Sequence, residues 1–272
     1  MRAPAILLAF LVALPPSAAF AGTGCDPSPV PPAKVAAAAE TAVRVAAALE
    51  RQDAPAALVA RVGTDLSEHG LVYSHVGFAV RDHDAGRWSV VHLLNECGSD
   101  RSSLHVQGLV NFFADDLVNQ DARIVWLQPE LARRLAAHLN ALPTDALHQS
   151  RYSIIARPGS RDYQNSTAWV LETFAAQRID PALPPTRAAA YARAQAEEFR
   201  PDHIRIAYAK RVLGGLFSAN AAFTDHPAGT RLSGRYPVVT VRSILDWLER
   251  RGHAVEQREW RGGQLQPSPG PA

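Results

Sequence analysis

Metal-ligand spacing is missing from this sequence: it holds no CxxC, no HExxH and no similar pattern, so no structural metal is expected. No cofactor is expected either. Cysteine is scarce, with Cys25 and Cys97 alone in 272 residues. Lysine occurs only at Lys34 and Lys210, and arginine supplies the rest of the positive charge. The net charge is +2, basic and acidic residues interleave, and no basic stripe forms, so nucleic-acid binding is unsupported. Past the first 25 residues no apolar run nears the roughly 20 residues that a membrane span needs.

The N-terminus carries an export pattern. Arg2 precedes an apolar run from Ala5 to Leu14, Pro15-Pro16 breaks it, and Ala19-Phe20-Ala21 places small residues at −3 and −1. This order is that of a cleavable signal peptide, residues 1–21, and predicts a periplasmic protein without a transmembrane segment after cleavage. About 250 residues remain, enough for one large core. In an oxidising compartment the Cys25/Cys97 pair is most simply a disulfide tying the new N-terminus to that core.

Residues 22–32 are Pro-rich and read as an extended lead-in. Lys34 to Arg51 is an alanine-rich helix. Residues 58–62 and 71–81 run in β-branched and aromatic residues. The Asp82–Gly86 turn then leads into a strand from Trp88 to Leu94, which makes a β-hairpin. Gln107–Leu117 is expected to be helical and Ala122–Leu127 a strand. Pro129–Leu142 forms a helix with Leu131, Leu135 and Leu139 on one face. A strand is expected at Arg151–Ala156, a helix from Asn165 to Gln177, and another over Arg187–Glu198. A strand at Val238–Arg242 then precedes a helix opened by Ser243. The Gly/Pro/Gln-rich end, 261–272, reads as disordered. Strands and helices without regular βαβ alternation predict an α+β fold with an antiparallel sheet, one domain over 33–260.

Three places could carry chemistry: His75 in Tyr73-Ser74-His75-Val76-Gly77-Phe78, His92 in Val90-Val91-His92-Leu93, and Ser166 in Tyr163-Gln164-Asn165-Ser166-Thr167-Ala168-Trp169-Val170. The histidines lie on adjacent arms of the hairpin, and one-residue shifts in the turn decide whether they face each other. Ser166 would open a helix, where unpaired N–H groups favour developing negative charge.

In their order these motifs resemble the circularly permuted papain-like superfamily, including NlpC-like hydrolases and the lecithin–retinol acyltransferase type. The chain as a whole, with Tyr-Gln-Asn-Ser-x-x-Trp-Val-Leu-Glu, resembles the bacterial family called domain of unknown function 2145. The resemblance implies a sheet carrying the histidines, packed on a helix that starts at the nucleophile. It implies His75 as general base, His92 as the group orienting it, and Ser166 as nucleophile where the superfamily has cysteine. Serine cannot wait as an anion as a thiolate can, so its proton must leave during attack, to a well-placed base. An active protein would hydrolyse or transfer an amide or ester acyl group of a cell-envelope peptide, peptidoglycan or lipid. The alternative is a catalytically inactive papain-like fold used as an envelope binding or assembly module, and a third reading treats the motif match as coincidence.

Ordinary roles stand beside these. A strand histidine among apolar residues can be a satisfied core residue, and Ser166 or Asn165 can be a helix N-cap. Cys97, five residues past His92, is a rival nucleophile if unbonded. Glu172 falls on the far side of the Ser166 helix, as a solvated group or a structural pair. The remaining eight of ten histidines, His105, His226 and His253 among them, read as surface or turn residues. Trp88, Trp126 and Trp169 fit core packing.

Overall fold

The computed structural model describes residues 29–115, 117–141, 146–180, 182 and 185–267. The signal-type segment 1–21, most of the lead-in including Cys25, Leu142 at the expected helix end, and residues 268–272 lie outside the described residues. Among the described residues, no helix is long and apolar enough to cross a membrane.

The centre is a mixed α plus β arrangement built on an antiparallel sheet. Helix α1 (Pro32–Leu49) precedes β1 (Ala56–Arg61), and the hairpin follows as β2 (His75–His83) and β3 (Gly86–Asn95), paired with His83 opposite Gly86. Strand β4 (Ser102–Gln107) pairs with β3, helix α2 (Leu109–Ala114) crosses back, and β5 (Ala122–Leu127) joins the other side of β1. Helices α3 (Pro129–Asn140), α4 (Ser166–Ala176) and α5 (Arg187–Ala196) follow. A two-stranded ribbon of β6 (Asp202–Arg205) and β7 (Arg235–Val238) encloses α6 (Tyr208–Phe217) and α7 (Ala228–Ser233). Helix α8 (Val241–Arg250) leads to β8 (Ala254–Arg261) and β9 (Gln264–Pro267). The large sheet has the order β4-β3-β2-β1-β5-β8-β9.

Alternation along the strands gives this sheet two covered faces. On one, Leu58, Val76, Phe78, Val80, Val91, Leu93 and Val125 pack against α3, α4, α5 and α8. On the other, Ala57, Val59, Ala79, Trp88, Val90, Ile124 and Trp126 pack against α1 and α2. Every residue of α4 is buried, as expected of a helix that is apolar nearly all round. Trp169 meets Phe78 edge-on at 5.7 Å and Phe174 meets Trp247 at 5.4 Å, so aromatic pairs join α4 to the sheet and to α8. Trp88, Trp126 and Trp169 all lie in the core.

Several expectations are corrected. Arg151 and Tyr152 make isolated bridges only, because the next amides turn to Gln164 O, Asn220 O and Ser153 O. The strand expected at 238–242 stops at Val238, since Thr240 and Ser243 form a capping box that makes Val241 the first helical residue. Strand β4 was not anticipated, and the helix expected over Gln107–Leu117 shortens to α2. The tail expected to be disordered from residue 261 is ordered to Pro267. There β8 and β9 form a hairpin with Trp260 opposite Leu265, turned by Gly262 and Gly263, both at the positive φ a two-residue turn demands.

Candidate functional site

His75 opens β2 and shares its face with Gly77 and Ala79, so its ring points to the α1/α2 side. On β1, Arg61 is its register partner and faces the same way. His92 on β3 has Trp88 and Val90 as face-mates, and on β4 His105 stands opposite it. Parity alone therefore gathers Arg61, His75, His92 and His105 on one face. The two imidazoles meet: His75 Nε2 lies 2.8 Å from His92 Nδ1, and His92 Nε2 lies 3.0 Å from Gln107 Oε1. Gln107 Oε1 can only accept, so His92 carries its proton on Nε2 and takes a hydrogen bond from His75 Nε2–H at its bare Nδ1. The result is a chain running His75, His92, Gln107.

Glycine at 77 is what lets this pair form. A Cβ there would stand 2.7 Å from Val90 Cγ1, 3.0 Å from His92 Cβ and 3.1 Å from the Val91 carbonyl oxygen. Gly77→Ala is accordingly expected to lower stability by about 1–3 kcal/mol, the range for overpacking a filled core. It should also push His92 away from His75. A urea midpoint unchanged from the parent would contradict this.

A lid seals the pair. The Phe112 ring of α2 sits 5.9 Å from His75 and 5.2 Å from His92, and the Arg61 guanidinium lies over the same ring at 4.5 Å. Arg61 donates to the Phe112 carbonyl oxygen and pairs with Asp115. His92 has no exposed surface. Burial first, and the Arg61 charge second, hold both imidazoles well below their usual range; the His92 pKa falls to about 3. Both rings are neutral throughout the physiological range.

Ser166 lies elsewhere. It is the first residue of α4, which packs on the opposite face of the sheet, and its hydroxyl shares a hydrogen bond with Tyr152 of that same core. Burial raises the Tyr152 hydroxyl to about 12, so it stays protonated. The structure thus brings His75 and His92 together and does not bring Ser166 to them; the sheet stands between. The rest of the motif is occupied with building the loop. Asn165 is the N-cap, accepting from Ala168 N at 2.7 Å, and Thr167 donates to Val239 O at 2.6 Å. Gln164 is fully buried; it donates to Leu147 O and to Glu172 and accepts from Gln149 N.

Glu172, expected as solvated or as a structural pair, is buried at 1 % exposure and paired with Arg187. Cys97 is disulfide-bonded, which removes it as a rival nucleophile; Cys25, the chain's other cysteine, lies outside the described residues. His226 and His253, read as surface or turn residues, are buried, each held by a carbonyl or carboxylate oxygen. His105, the half-buried third imidazole with its ring 6.2 Å from His92, was missed. Its signal was present in the alternation of Ser103, His105 and Gln107. Among the described residues no group of three His, Cys, Asp or Glu side chains could hold a metal ion.

No curated protein and no solved structure matches this chain. Residues 48–248 match the bacterial family described as an uncharacterized protein conserved in bacteria, DUF2145, over strands β1 to β5, both histidines and the Ser166 helix. The match covers most of the sequence, and the chain belongs to the DUF2145 family.

Proposed function

We propose that this protein is an exported, catalytically silent relative of the circularly permuted papain-like proteins, used as a binding or assembly module in the cell envelope. The kinship is supported by chain order and element type: a histidine opening one strand, a second on its antiparallel neighbour, and then Asn-Ser opening a buried helix. Export is supported by the N-terminal pattern and by the bonded Cys97, since disulfides persist in oxidising compartments. An envelope peptide, peptidoglycan or lipid would then be a ligand where an active relative has a substrate.

The observation that carries the silence is the placement of Ser166 against Tyr152, across the sheet from both imidazoles. A general base must come within hydrogen-bond reach of the proton it takes, about 3 Å or one water away. Acyl transfer through Ser166 and His75 lacks that geometry here. Incubating the folded protein with a fluorophosphonate probe is expected to leave Ser166 unlabelled. Labelling of Ser166 that disappears in His75→Ala would restore the hydrolase reading and overturn this one.

A further inference from the structure

Residues 205–235 make a small lobe beside the main body. Its root is a separate apolar cluster of Ile155, Tyr236 and Val238, with Ile204, Ile206 and Phe223 packed against it. Its outer side is unusual for a water-facing surface. Leu232 is 83 % exposed, Tyr208 73 % and Val212 43 %.

Charge on this lobe has one sign. Residues 205–235 contain Arg205, Lys210, Arg211, Arg231 and Arg235 against a single acid, Asp225. Asp225 is turned inward, accepting from Arg157 N at 2.7 Å and from Ser160 Oγ at 2.6 Å. Lys210 is offset by Glu68 at 2.8 Å. The arginines are gathered around the apolar tip. Arg211 lies 5.4 Å from the Tyr208 ring and donates to the Arg231 carbonyl oxygen, and Arg205 pairs across the ribbon with Arg235.

We propose that this lobe docks on a bilayer surface bearing anionic phospholipid headgroups. Leu232, Tyr208 and Val212 enter the headgroup boundary, and the exposed Arg205, Arg231 and Arg235 meet the phosphates. Exposed apolar side chains ringed by basic ones are the arrangement by which interfacial segments bind membranes. Each arginine near an anionic surface adds to the attraction, and tyrosine suits the boundary because its ring is apolar and its hydroxyl polar. The inference stands on this lobe alone, so its failure would leave the Ser166 labelling result untouched.

The test uses the full chain carrying Leu232→Cys labelled with an environment-sensitive dye; Cys97 is bonded, so the new thiol is the one that reacts. A dye at 232 reports this lobe only, whatever the apolar run at 5–14 does. Vesicles of phosphatidylcholine with phosphatidylglycerol are expected to shift its emission to the blue, at least about tenfold more tightly than phosphatidylcholine alone. The shift should fade at high salt. Arg205→Glu/Arg231→Glu/Arg235→Glu should bring binding down to the neutral-vesicle level. Arg231→Glu alone, on an exposed side chain that leaves the fold intact, should weaken it in the same direction. No blue shift on the mixed vesicles, an equal shift on neutral ones, or full binding by the folded arginine variants would overturn the proposal. So would a shift produced by an acidic protein and by no vesicle.

Discussion

Replacing Arg187 with methionine is expected to cost about 3–5 kcal/mol of unfolding free energy, the range for removing one partner of a buried ion pair. Glu172 lies inside α4, and Arg187 Nε reaches its Oε2 at 2.8 Å while Gln164 Nε2 reaches the same oxygen at 2.6 Å. Without the guanidinium the buried carboxylate loses its arginine partner, and the Gln164 amide that remains brings no charge to offset it. Burial would then raise its folded pKa above the unfolded value, so the penalty is full at neutral pH and shrinks as acidification protonates it. Urea denaturation at pH 7.5 and pH 5 should show the gap to the parent protein narrowing at the lower pH. Adding Glu172→Gln to the same chain should recover much of the loss. A gap below about 1 kcal/mol that ignores pH would refute the argument.

This pair also explains the motif around Ser166. Besides its two bonds to Glu172, Arg187 donates to Tyr163 O at 3.1 Å, and Glu172 accepts from the Gln164 side chain, so the ion pair holds the Tyr163-Gln164 segment that leads into α4. The most distinctive stretch of the sequence is therefore accounted for by loop and helix construction. Its residues are ordered to start a helix that carries its own buried charge.

The hairpin and the helices from Pro129, Ser166 and Arg187 were legible because each combined periodicity with a start signal: a Gly86 turn, a proline at the first helical position, or a capping side chain. Adjacency of His75 and His92 followed from the same hairpin. The face they occupy did not. A strand buried on both sides has no polar face to betray its orientation, and Val76 and Phe78 are as apolar as Gly77 and Ala79. Which set meets α4 is decided by packing beyond the strand, and one residue of parity separates a serine near the histidines from one across the sheet. The β8–β9 hairpin was hidden for a related reason. Residues 254–261 mix charged and apolar side chains, and the pairing of β8 with β5 comes from across the whole chain.

Mild acid is expected to bring the second large loss. His92 has a folded pKa of about 3 against a usual 6.5, and burial moves His75 in the same direction. A group whose folded pKa is depressed contributes stability in full above pH 6.5 and loses it as pH falls towards 3. For His92 alone the loss between pH 7.5 and pH 4.5 comes to roughly 2.5–3 kcal/mol at about 1.4 kcal/mol per pKa unit. The charges that face the pair reinforce the sign: Arg61 on β1 and His105 on β4 both oppose a second positive charge. Asp115, past the end of α2, is already committed to Arg61. Other buried imidazoles, His226 and His253, titrate in the same direction, so the parent curve alone does not isolate the pair. His92→Gln does, because glutamine can keep a hydrogen bond to Gln107 and carries no titrating proton. Denaturation free energies measured from pH 7.5 to 4.5 should fall less steeply in His92→Gln than in the parent, by the His92 contribution. Equal slopes in the two proteins would mean that the imidazole chain under Phe112 is open to water, and the seal inferred from its neighbours would be lost with it.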